Sequence, residues 1–133
     1  MKKIIELLLI MIIMILFFTS CKEGSYSFNE PIESITSIEI VNAVDSFDYT
    51  VEKTLSETET ENFLESFQTI EFYGVAVGDP VSFHGIGIKI SYESGNYEMI
   101  THFSSEYIEN GTLQHCRKYC NEQTFNKLLE EFN

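Results

Sequence analysis

Three histidines and, of three cysteines, Cys116 and Cys120 are the side chains of this 133-residue chain best suited to proton transfer, nucleophilic attack or metal ligation near neutral pH. His84 precedes an alternating apolar stretch, His102 shares strand parity with Glu98 and Ile100, and His115 adjoins Cys116. Three neighbouring strands could bring the imidazoles together as a metal triad. Parity argues otherwise, because it sets His102 opposite Met99 and Phe103 while His84 goes with the inward Ile86 series. Cys116 with His84 or His102 would make a thiol nucleophile, and Arg117 and Lys118 beside it would favour the thiolate. The surrounding sequence gives this chemistry no support. It holds no Gly-x-Ser-x-Gly elbow, phosphate-cradling glycine loop, His-Glu-x-x-His helix or dinucleotide fingerprint. We therefore expect no catalytic residue, no cofactor and no metal site.

Two further groupings lead to bland readings. Glu57-Thr58-Glu59-Thr60-Glu61 lacks the glycine turn and the well-spaced final glutamate of a calcium loop, and suits the positive end of a helix instead. Cys116 and Cys120 are four residues apart; on a strand their Cα atoms would stand about 13 Å apart, against the roughly 4.4–6.8 Å of a disulfide. Two free thiols are expected unless a turn or bulge intervenes. Of the 11 Phe and 7 Tyr, most phenylalanines fall on inward positions. Tyr73, Phe83, His84, Tyr97 and Tyr107, with Tyr92 nearby, lie close to expected loops and form the candidate binding surface.

Regular elements must position these groups. Ile35 to Asn42 alternates around Ile38 and Ile40, and Phe47, Tyr49 and Val51 alternate again after Asp45-Ser46, which predicts two strands joined by a turn. Ser56 and Glu59 form a capping box ahead of a helix carrying Phe63, Leu64 and Phe67 on one face. Ile70 and Phe72 suggest a short third strand ended by Gly74 and the Gly78-Asp79-Pro80 turn. Ile86, Ile88, Ile90 and Tyr92 mark one face of the clearest strand; Ser94-Gly95-Asn96 turns it back into Tyr97, Met99, Thr101 and Phe103. Ser104 to Thr112 reads as a polar loop, Leu113 to Tyr119 as a sixth strand. Asn121 caps a last helix with Phe125, Leu128, Leu129 and Phe132 at i, i+3, i+4 and i+7.

The order β-β-α-β-β-β-β-α predicts an α+β domain, an antiparallel sheet of five to six strands with two amphipathic helices on one face. The segments 56–67 and 121–132 align without gaps and share four identities, a pattern that a duplication or convergence of capped amphipathic helices would both produce.

Ahead of this domain stand Met1-Lys2-Lys3, an apolar run from Leu7 to Phe18, and Phe18-Thr19-Ser20-Cys21. At about 1.5 Å per residue those 12 residues reach about 18 Å, short of a hydrocarbon core of about 30 Å. The stretch resembles a bacterial lipoprotein signal. Thr19 and Ser20 fit that pattern, and Phe18 stands where it prefers leucine. The resemblance implies cleavage between Ser20 and Cys21, a diacylglyceryl group on the Cys21 sulfur, and an extracytoplasmic, membrane-anchored protein. The domain also has a general likeness to small lipoproteins of Gram-positive bacteria. The expected division is 1–20 signal, 21–34 lipidated start and flexible tether, and 35–133 one α+β domain.

Removing Lys2, Lys3 and Glu6 leaves 6 basic and 20 acidic side chains, a balance of −14. That field opposes nucleic acid and anionic headgroups; it serves to keep an extracytoplasmic domain soluble and away from its membrane, or else to attract a cationic peptide or protein. The sequence reading is therefore an anchored binding or interaction module, meeting its partner through a sheet face or the loops at 75–85 and 104–111. Its alternative is a protective lipoprotein that captures a cationic peptide or a basic lytic enzyme. A small hydrolase or thiol enzyme is the third.

Overall fold

The alternating isoleucines line up across the strands and set the register. In the computed structural model, which describes residues 24–74, 83–115 and 118–133, the strands are β1 (Ile35–Ala43), β2 (Tyr49–Thr54), β3 (Gly85–Tyr92), β4 (Tyr97–Ile100), β5 (Ser105–Glu109) and β6 (Thr112–His115). They form one antiparallel sheet in the order β2-β1-β3-β4-β5-β6. Ile40, Ile88 and Ile100 pair directly across β1, β3 and β4. One step along, Ile38, Ile90, Glu98 and Tyr107 form the next row, with a carboxylate in its middle.

Helices α1 (Glu57–Phe67) and α2 (Glu122–Phe132) cover this face. Ser56 closes its capping box with Glu59, and Asn121 accepts the Thr124 amide at 3.1 Å. Each cap satisfies amides that the first helical turn leaves without a partner. Phe63, Phe67, Phe125, Leu128, Leu129 and Phe132 are buried against Ile38, Ile40, Ile88, Ile90 and Ile100. The Phe63 and Phe132 rings, 5.4 Å apart and edge-on, join the helices. The α+β class and element order thus agree with the sequence reading.

Individual elements differ from expectation for identifiable reasons. Ile70 and Phe72 do not make a strand: α1 unwinds through turn bonds from Thr69 to Ser66 and from Ile70 to Phe67, leaving room only for the bridges Gly24–Phe72 and Tyr73–Tyr119. The polar segment 104–112 contains β5, and Asn110-Gly111, both at positive φ, turns it into β6. The sixth strand is shorter than expected and ends at His115. Phe47 lies in the β1–β2 turn, where the Asp45 carboxylate accepts its amide and that of Asp48, and is 56% exposed. Ile86 is 54% exposed, opposite Asn42 where β1 runs out.

The sheet is buried on both faces, whereas strand parity predicts one. Behind the helices' face, Val41, Ala43, Phe83, Met99 and Ile108 form a second, smaller cluster edged by Tyr49, Tyr97 and Leu113. Gly87 permits the close approach there: a Cβ would stand 2.5 Å from the Ile100 carbonyl oxygen and 2.7 Å from the Phe83 ring.

The composition of 22–34 predicts a tether. From Gly24 onward, however, the chain lies along the domain as a strap, with Tyr26 buried among Phe28, Phe67 and Phe72 and a single 3₁₀ turn at Ile32–Ser34 leading into β1.

Candidate functional site

The strap is held by carboxylates that strand parity alone does not reveal. Glu98, on β4, is fully buried. Its Oε1 accepts the Tyr26 hydroxyl and the Asn29 amide, each at 3.2 Å, and the Asn29 side-chain amide; its Oε2 accepts the Tyr92 hydroxyl. A buried carboxylate is costly unless hydrogen-bonded, and these neutral donors supply that compensation. Burial, followed by the bond to Glu98, pushes the Tyr92 phenol far above its usual range, so it remains a donor.

Glu30, the next strap residue, accepts from Ser94 Oγ at 2.7 Å, Asn96 Nδ2 at 2.8 Å and the Tyr107 hydroxyl at 2.9 Å. The Ser94 hydrogen bond, with those of Asn96 and Tyr107, holds Glu30 below the usual carboxylate range despite some burial. Burial and the Glu30 bond push Tyr107 up to about 12. Asn96 also accepts the Asn110 amide at 3.0 Å, so strap and both hairpin turns share one network. Lys118 completes the attachment, donating to the Ser27 carbonyl at 2.7 Å with its ammonium 4.5 Å above the Tyr26 ring.

The opposite face repeats the device. Glu106, 3% exposed on β5, accepts the Ser46 hydroxyl from the β1–β2 turn and the Phe83 amide at 3.3 Å. Tyr97 donates to the Ser46 carbonyl at 3.0 Å. Beside it Lys89 lies 3.4 Å from Glu39 and 4.9 and 5.0 Å from the Tyr49 and Tyr97 ring centres. Burial alone would lower the Lys89 pKa; Tyr49 and Glu39 outweigh it and raise it, so the ammonium stays charged.

The five residues of the candidate binding surface do not share one face. Phe83 is fully buried and Tyr97 half-buried in the second cluster, whereas Tyr107 lies on the helix side of β5. Tyr73 stacks on Tyr119 with centroids 5.4 Å apart. His84 is exposed at the start of β3. It does meet His102 through a shared neighbour, since both imidazoles lie 5.0 Å from the Phe103 ring centre. The approach is possible because β4 stops at Ile100 and Thr101–Ser104 forms a tight turn, the irregularity that convergence needed. The described residues contain no group of three or more metal-ligating side chains; the His115 side chain, Cys116, Arg117 and the turn 78–80 lie outside them, as do Ser20 and Cys21.

Cys120 is a buried free thiol, pushed up to about 12 by burial and therefore protonated at neutral pH. Tyr26, Asn29, Glu30, Glu98 and Glu106 are the residues that sequence reasoning missed. The available signals were two aromatics inside a polar segment and a glutamate in phase with Ile100.

The cavities are open surface grooves. One, of about 380 Å³, runs between α1 and α2, with Glu65 and Glu131 beside Lys127 and Leu128 at its base. No helix among the described residues is long and apolar enough to cross a membrane. Compared with protein-family models, curated proteins and solved structures, the chain matches none of them.

Proposed function

We propose that this protein is a lipid-anchored, extracytoplasmic binding module, held on the membrane through Cys21. The reading is carried by Cys21 itself, which closes an apolar run too short to span a bilayer and precedes one acidic domain. The fate of the reactive groups supports binding over catalysis: Glu98 and Glu106 are engaged in fastening the strap and turns, and the Cys120 thiol is held neutral. Metabolic labelling with a fatty acid tests the anchor. The wild-type protein takes up label and fractionates with membranes, and Cys21→Ser does neither; label retained by Cys21→Ser refutes the reading.

The protective alternative is favoured by the exposed acids of the helical layer. Glu57, Glu61 and Glu65 on α1 and Glu122, Glu130 and Glu131 on α2 are exposed, with Glu65 and Glu131 lining the inter-helix groove and Glu57 and Glu61 a second groove between α1 and β1. A cationic peptide or basic enzyme captured there would lose affinity as salt rises, because the screening length falls from about 10 Å at 0.1 M to about 3 Å at 1 M. Crosslinking of the tagged protein on intact cells, against a lipidated control with an unrelated acidic domain, identifies the partner. Affinity that does not change with salt excludes electrostatic capture.

A further inference from the structure

We propose that one corner of the domain, the Tyr73–Tyr119 pair beside Gly24, is its bilayer-contacting surface; this rests on the lipid anchor at Cys21. The argument starts from chain length. The strap is fastened from Gly24, whose amide and carbonyl bridge to Phe72. Only three Cα steps separate Gly24 from Cys21, so the anchored residue lies within about 11 Å of that bridge whatever path the chain takes. A flexible 13-residue tether would allow about 20 Å of typical reach and no fixed orientation. The docked strap instead brings one particular corner down to the lipid.

The chemistry of that corner suits a phospholipid surface. Tyr73 follows Phe72 and bridges to Tyr119 through both backbone directions, Tyr73 N–H to Tyr119 carbonyl at 2.8 Å and the reverse at 3.3 Å. Their rings stack, and Tyr119 is 38% exposed. An amphipathic ring with a hydroxyl tip is at home at the level of the headgroups. Charge does not oppose this: Lys22, Arg117 and Lys118 adjoin the corner in the sequence against Glu23, Glu71 and Glu122, an even balance in a domain that is strongly acidic overall. Glu71 lies 3.5 Å from the Tyr73 hydroxyl.

The test exploits the absence of tryptophan from the chain. Acylated mature protein carrying Tyr119→Trp is reconstituted into phosphatidylcholine vesicles whose acyl chains are brominated, with Tyr73→Trp as a second reporter should the first fail to fold. Val51→Trp is the control: Val51 is 42% exposed on β2, an edge strand of the sheet that has no part in the Tyr73–Tyr119 bridge. The expected result is bromolipid quenching several-fold stronger at position 119 or 73 than at 51. Equal quenching at both positions, or shielding of position 119 from aqueous quencher without bromolipid quenching, overturns the inference, the latter marking a protein contact instead. Acylated, vesicle-bound protein with unquenched reporters overturns the orientation alone; absence of an acyl group on Cys21 by mass spectrometry overturns the anchor reading with it.

Discussion

Replacing Glu98 with alanine should loosen the strap and destabilise the domain far more than an average surface change. The substitution strands the Tyr92 hydroxyl and removes the Glu98 acceptor from that of Tyr26, residues 2% and 4% exposed. A buried donor left without an acceptor costs up to about 3 kcal/mol and a lost hydrogen bond about 1 kcal/mol, whereas the exposed Asn29 can turn to water, so the loss reaches about 4 kcal/mol. At about 5 °C per kcal/mol for a domain of this size, the thermal midpoint falls by about 20 °C. Glu98→Gln retains one acceptor oxygen but points an amide donor at another donor, and should cost about 1–2 kcal/mol. Urea unfolding of the mature chain, monitored by circular dichroism, gives the ranking wild type, Gln, Ala. Hydrogen exchange locates the loss, because protection of the Asn29 amide should vanish in the alanine variant. An alanine variant within about 0.5 kcal/mol of wild type would show that the buried carboxylate does not organise this core.

Three other perturbations probe separate parts of the structure. Glu30 is held below its ordinary pKa, so its contribution is present above the unfolded value of about 4.3 and fades as pH falls through the folded one; the stability gap between wild type and Glu30→Gln should narrow from pH 6 towards pH 3, and a gap independent of pH contradicts this. In a Cys21→Ser, Cys116→Ser background, Cys120 should resist iodoacetamide at pH 8 and react at once in denaturant, since burial raises its thiol pKa to about 12; rapid native labelling would place the thiol in solvent. Gly87→Ala should cost about 1–3 kcal/mol by calorimetry, because the new Cβ meets the Ile100 carbonyl oxygen and the Phe83 ring, and a neutral result would mean that β3 and β4 separate easily.

Patterns with a period were legible in the sequence, and those whose partners lie far along the chain were not. Ile38, Ile40, Ile88 and Ile90 announced their strands, and Ser56 and Asn121 their helices, because the physical cause lies within a few residues of each signal. Strand β5 escaped notice because Ser105 and Glu106 look like loop residues until Ser46 and Phe83 arrive to satisfy the carboxylate. Ile86 misleads for the converse reason: its alternation is intact, but it lies opposite exposed Asn42 where β1 ends. The candidate aromatics were grouped by their nearness to loops, a criterion that does not record which face of the sheet a residue occupies. Phe83 and Tyr107 accordingly fall on opposite sides.

Glu98 and Glu106 sit on adjacent strands, one row apart, and point to opposite faces; Met99 pairs with Glu106 while Glu98 pairs with Tyr107. Two adjacent interior strands, β4 and β5, thereby grip two pieces of irregular chain, the strap on the helix side and the β1–β2 turn on the other. Apolar packing at those positions would bury comparable area, yet it would not choose one path for a polar segment such as Ser27-Phe28-Asn29-Glu30. A carboxylate does choose, because its acceptors must be met by particular donors at particular places. Under the anchored reading proposed above, a fixed path for the strap would determine which edge faces the membrane and which surface remains free for a partner. Glu98 and Glu106 thus act first as elements that fix the path of irregular chain, and under the anchored reading their removal should cost orientation as well as stability.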